Sequence, residues 1–184
     1  MSTSKQLVSV EEYDRMIALG QLTENDRVEL IRGEIVEKMP IGDPHTGCVK
    51  FLNRRLGALL GDSAILGIQD PVGLADSEPE PDISVVKPRQ DCYRSAKPRP
   101  KDIFLIVEVA DSSLDFDREI KGPLYAEASI REYWIVNLVD DCVEVHRDPI
   151  GCGYRDVRVV GRGDSIRLLA FPEIALTTDE ILGG

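Results

Sequence analysis

The eight residues IFLIVEVA, Ile103–Ala110, decide how the chain folds. Seven of them are apolar and the run is short, as in a strand buried on both sides. The exception is Glu108. A carboxylate left unpaired in such surroundings costs several kcal/mol even after relaxation, on the order of the stability of a small domain. A proton, a basic partner or a metal ion can hold it there. Alternation places Phe104, Ile106, Glu108 and Ala110 on one face and Leu105, Val107 and Val109 on the other, so Glu108 points out near the strand's end.

Other strands surround this one. AILGI and DISVV precede it, the latter directly after Pro81. A helix over 117–128 follows, and then EYWIVNL, apolar on both faces like a covered central strand. CVEVHRD, YRDVRVV and SIRLLA alternate like antiparallel outer strands, and TTDEIL reads as a short closing helix.

Upstream, Ser9 and Glu12 form a capping box with Val8 and Tyr13 as its staple, which predicts a helix over 10–19. RVELI and EIVEKM flank Arg32-Gly33, a two-residue hairpin turn. A second helix opens with Asp43 as N-cap and Pro44 in its first turn. Its core face is Val49, Leu52, Leu56 and Leu59, with Lys50, Arg54 and Arg55 opposite.

The sum is an α/β (α+β) domain, a mixed β-sheet core flanked by helices with additional antiparallel outer strands. One domain over 1–184 is expected: an N-terminal helix at about 9–20, a core at about 27–147, and strands with a short helix at about 148–184. The length and the 42% apolar content suit one core. No apolar run reaches the roughly 18 residues of a membrane helix, and MSTSKQLVSVEEY lacks a signal-peptide core, so a cytoplasmic protein with no membrane partner is expected. Cys48, Cys92, Cys142 and Cys152 form no CxxC pair and read as free thiols.

A net charge of −11 argues against a nucleic-acid coat protein. Residues 87–101, KPRQDCYRSAKPRPK, carry a local +5 and leave −16 elsewhere. Three prolines make this segment an extended loop, either a solvated linker or a phosphate-tracking arm.

Asp82 opens the strand DISVV and lies beside Glu108 if the two strands pair. Two adjacent carboxylates repel, which raises one pKa unless a cation sits between them. Mg²⁺ meets that need, since it takes one or two carboxylates plus water and phosphate. Phosphodiester hydrolysis also needs a basic group, and Lys121, on the following helix, is the candidate.

VELIRGEIVEKMP, His45, PDISVV, IVEVADSS, DREIKGPLYAEASIREYWIV and VEVHR, taken in order, resemble the Uma-type family of restriction endonucleases within the PD-(D/E)XK nuclease superfamily. The similarity runs over about 28–147. It implies a restriction-endonuclease-like core in which Asp82 and Glu108 bind Mg²⁺ or Mn²⁺. It further implies that Glu29 adds a carboxylate that orients a basic group or a metal-bound water, and that DNA is the substrate. A homodimer would suit cleavage of both strands. The usual lysine two residues after the glutamate is replaced by Ala110, and Lys121 matches the lysine of DREIK. That departure leaves open a catalytically silent module for binding or assembly, and Glu108 could instead be a structural carboxylate paired in the core.

Of the remaining polar residues, Tyr125 shares a helix face with Lys121, where it either packs beside the site or fills core, and core is the expectation. His45, near a helix N-terminus, could approach phosphate or the site but is expected at the surface or as a cap, His146 facing solvent, and Ser112 and Ser113 in a loop or cap without a GxSxG elbow. Ser129 occupies a post-helix position that favours glycine.

Overall fold

The computed structural model describes residues 7–183, with the Glu24 side chain left aside. A six-stranded sheet in the order β3-β4-β5-β6-β7-β8 organises it. These strands are β3 (Ile65–Gly67), β4 (Ile83–Val86), β5 (Ile103–Ala110), β6 (Glu132–Asn137), β7 (Cys142–Ile150) and β8 (Gly153–Gly161). Only β5 and β6 run parallel; every other neighbouring pair is antiparallel. A parallel pair needs a crossover, and here it is helical: α3 (Leu114–Phe116), a wider π-type turn (Asp117–Lys121) and α4 (Gly122–Glu127).

Two apolar clusters sandwich this sheet. On one face α2 (Asp43–Leu60) and α5 (Thr178–Leu182) press Leu52, Leu56 and Ile181 against Leu105, Val107 and Trp134. On the other, Tyr125 and Leu124 of α4 meet Ile106, Tyr133 and Ile135. β6 is buried throughout, as its apolar run predicts. Phe104 departs from the expected alternation. A register shift between Val85 and Val86 pairs Val85 with Leu105 and Val86 with Ile103, so Phe104 packs against the α2 cluster.

α1 (Val10–Ala18) carries the Ser9–Glu12 capping box. β1 (Val28–Ile31) and β2 (Glu34–Glu37) form the hairpin, with Arg32 and Gly33 both at positive φ as a type I′ turn demands. It docks through Glu78 N–H to the Leu30 carbonyl at 2.7 Å and Gly33 N–H to the Asp76 carbonyl at 2.9 Å. Glu29 thereby comes within reach of the segment entering β4.

Several local expectations are corrected. α2 takes Gly42 as its N-cap, with Asp43 in the first turn, and its buried face ends on Leu60 while Leu59 is half-buried. The helix expected at 117 begins at Leu114. Within SIRLLA only β9 (Ser165–Arg167) is strand, and it pairs with β10 (Ala175–Thr177), too short to announce itself in sequence. The 87–101 loop turns inward at Lys97, which pairs with Asp14 at 2.5 Å and also with the buried Glu78. His146 is mostly covered, its ring 5.4 Å from Tyr133 and 5.6 Å from Tyr154.

All four cysteines are free thiols. No helix among the described residues is long and apolar enough to cross a membrane.

Ser129 stands at φ +62° after α4, a left-handed conformation that costs a residue with a Cβ about 1 kcal/mol. Replacing Ser129 with glycine relieves that strain, and urea unfolding should show a gain of several tenths of a kcal/mol.

Candidate active site

Four side chains singled out from the sequence converge beneath one cleft: Glu29 from β1, Asp82 at the entry to β4, Glu108 from β5 and Lys121 from the π-type turn. All four are buried. β4 and β5 pair antiparallel with Ile83 opposite Val107, which brings Asp82 beside Glu108. The contact is direct, Asp82 N–H donating to Glu108 Oε2 at 3.3 Å.

Each carboxylate has its own holders. Asp82 Oδ2 accepts from Val109 N–H at 2.8 Å and meets His45 Nε2 at 2.9 Å, while Oδ1 accepts from Gln69 Nε2 at 3.2 Å. Glu108 Oε1 accepts from Tyr125 O–H at 2.7 Å and from Lys121 Nζ at 3.0 Å. The ammonium of Lys121 also lies 3.3 Å from Glu29 Oε1, and Glu29 Oε2 accepts from Glu80 N–H at 3.0 Å. Lys121 thus bridges two carboxylates on separate elements.

Burial and charge set the protonation states in opposite senses. Burial raises the Asp82 carboxyl, but His45, the Val109 amide and Gln69 outweigh it and hold Asp82 below the ordinary aspartate value. Glu108 is pushed up to about 8, chiefly by burial and then by Asp117, Asp82 and Glu29, against the pull of Lys121. Asp117 rises to about 6, again mainly through burial. Burial alone would lower Lys121, yet Glu108, Glu29 and Asp117 hold it above the ordinary lysine value. One carboxylate is kept ionised and its neighbour is left proton-binding, as expected of two acids sharing a site.

The cleft is about 920 Å³ and is lined by nine carboxylates against four basic side chains. Three of those basic groups are already spoken for, Lys38 by Glu80, Lys97 by Glu78 and Asp14, and Lys121 by Glu29 and Glu108. Paired carboxylate oxygens are the donors Mg²⁺ and Mn²⁺ prefer. Among the described residues no three His, Cys, Asp or Glu side chains form a complete cage. Mg²⁺ needs none, since it usually keeps several waters and takes one or two carboxylates. Asp82 and Glu108 fit that requirement.

Three further side chains belong to the site, and of these only Asp117 escaped the sequence reading. His45, expected at the surface, is buried against Asp82 because α2 lays its first turn over the entry to β4. Tyr125, expected as core, is core and also Glu108's shortest hydrogen-bond donor. Asp117, one helical turn before Lys121, is buried and accepts from Ser113 O–H at 2.6 Å. The four-residue spacing of Asp117, Lys121 and Tyr125 was the available signal.

The Uma2 family model, described as "Putative restriction endonuclease", matches residues 10–179. None of the curated proteins compared matches the chain. Among solved structures, the crystal structure of "a putative nuclease belonging to DUF820" from Anabaena variabilis ATCC 29413 is similar in fold, with a TM-score of 0.68 and 16% identity, covering 95% of this chain and 97% of that one.

Because the Glu108 pKa lies above the ordinary glutamate value of 4.5, the folded chain binds a proton that the unfolded chain releases between pH 4.5 and about 8. The stability from this group is present below 4.5 and is lost as pH rises through about 8. Urea titrations in a chelator should therefore give a falling unfolding free energy across that window. Glu108→Gln should flatten most of the slope, leaving at the acid end the smaller contribution of Asp117.

Proposed function

The chain belongs to the Uma2 family, and from that membership together with the paired carboxylates of the cleft we propose that it is a divalent-metal-dependent endonuclease hydrolysing phosphodiester bonds in DNA. The observation that carries this reading is the adjacency of Asp82 and Glu108, joined by the 3.3 Å amide contact, beneath a cleft with Lys121 at its floor. Asp82 and Glu108 are the residues that would hold Mg²⁺ or Mn²⁺, and such an ion supplies neutralisation of phosphate charge and acidification of a water.

The chain's own groups have separable tasks. Asp82 is fixed from three sides and meets a cation already ionised. Glu108, proton-binding on its own, would have to lose that proton to hold a cation, so binding would release protons near neutral pH. Lys121 keeps its positive charge at every working pH and offers it to the negative charge that develops on phosphate. Glu29 holds the ammonium in place, and Tyr125 orients the Glu108 carboxylate.

Supercoiled plasmid incubated with Mg²⁺ or Mn²⁺ should be nicked and linearised, and a chelator should stop it. Asp82→Asn and Glu108→Gln should abolish cutting, and Lys121→Ala should slow it by roughly 10²–10³-fold. Cutting that survives both carboxylate substitutions overturns the assignment.

A second reading, a silent nuclease fold serving binding or assembly, is favoured by one observation: Ala110 stands at the usual lysine position and Lys121 is already clasped by two carboxylates. Titration calorimetry separates the two. Heat on adding Mn²⁺, absent in Asp82→Asn, counts against the silent module.

A further inference from the structure

β8 is the outer strand of the six-stranded sheet, and no strand among the described residues pairs with its free edge. Native edge strands are usually kept short, bulged, blocked by proline or covered, because a row of open N–H and C=O groups invites pairing. β8 has none of these devices, and its only protection is the charge of Arg155, Asp156 and Arg158. It is nine residues long, contains no proline and has no residue at positive φ, and Val157 and Val159 are 50% and 69% exposed.

Its sequence is also complementary to itself. When two copies of GYRDVRVVG run antiparallel about a two-fold axis normal to the sheet, like faces meet only if a residue sits opposite its own copy. With Val157 at that centre, Gly153 faces Gly161, Tyr154 faces Val160, Arg155 faces Val159 and Asp156 faces Arg158, so all nine residues pair. Centring on Arg155, Asp156 or Arg158 sets a charge against its own copy, and centres nearer the ends shorten the overlap. Asp156 and Arg158 already lie on one face, bonded at 2.9 and 3.1 Å, so the central register gathers four charges of alternating sign.

We propose that β8 is a self-pairing edge through which two copies of this chain form an antiparallel dimer centred on Val157, with Asp156 of each opposite Arg158 of the other. The contact builds no new active site. Glu108, Ile135, Glu144 and Val159 are level across the sheet, and Val159 faces Arg155 of the other copy, so seven strand spacings and a four-residue offset along the strands, together roughly 36 Å, separate the two Glu108 residues. Each cleft is complete within its own copy, which makes this inference independent of the nuclease reading.

Sedimentation velocity and light scattering over a broad concentration range test it. The wild-type chain should show a concentration-dependent dimer. Asp156→Arg sets like charges opposite one another twice and should weaken the dimer at least roughly tenfold. Adding Arg158→Asp to that variant reverses both charges and should restore it. Circular-dichroism melts of both variants confirm folding, which positions exposed at Arg158 and half-buried at Asp156 should leave intact. A wild-type chain that stays monomeric throughout, an Asp156→Arg variant that dimerises as well as wild type, or a double variant that fails to recover each overturns the proposal.

Discussion

The ammonium of Lys121, held between Glu108 and Glu29, is the interaction around which the cleft is organised. It ties together the crossover between two parallel strands, the central strand β5 and the hairpin strand β1, which also share an apolar cluster through Ile31, Ile106 and Leu124. A buried lysine is costly unless carboxylates surround it, and a buried carboxylate is costly unless a cation or donor meets it. Here each offsets the other's desolvation, and Tyr125 and the Asp82 amide take up further capacity of Glu108. Truncating Lys121 would leave two buried carboxylates without their counter-charge, so its structural and chemical roles are linked.

Burial of a carboxylate does not by itself mark a site, as Glu132 shows in the same sheet. It is fully buried, yet Trp134 Nε1–H, Arg147 Nε–H and Leu169 N–H donate to it at 3.0, 2.9 and 2.7 Å. All its donors come from protein, none of its neighbours is a second carboxylate within hydrogen-bond reach, and it does not line the cleft. Glu108 differs in having Asp82 alongside and open space above.

The distribution of charge follows the same logic. Acidic groups crowd the cleft, while the basic stretch at 87–101 spends Lys97 on Asp14 and Glu78 and Arg89 on Asp91. A segment that looks strongly cationic in sequence is therefore partly neutralised in the fold.

Much of this was legible in the amino-acid order, because it rests on local rules. The apolar run of β5, the capping box at Ser9, the Arg32-Gly33 turn and the covered strand β6 follow from burial periodicity and backbone geometry acting over a few residues. Asp82, Glu108 and Lys121 could be named from charge placed against that pattern, and Glu29 from the family resemblance alone. What only the tertiary structure decided lies between distant segments: His45 reaching Asp82 across 37 positions, Glu29 meeting Lys121, and Phe104 turned to the opposite face by a register shift. Local sequence constrains the dihedrals and the period of an element. Which polar atoms meet, and hence which carboxylate keeps its proton, depends on how whole elements pack, and packing is a property of all of them at once.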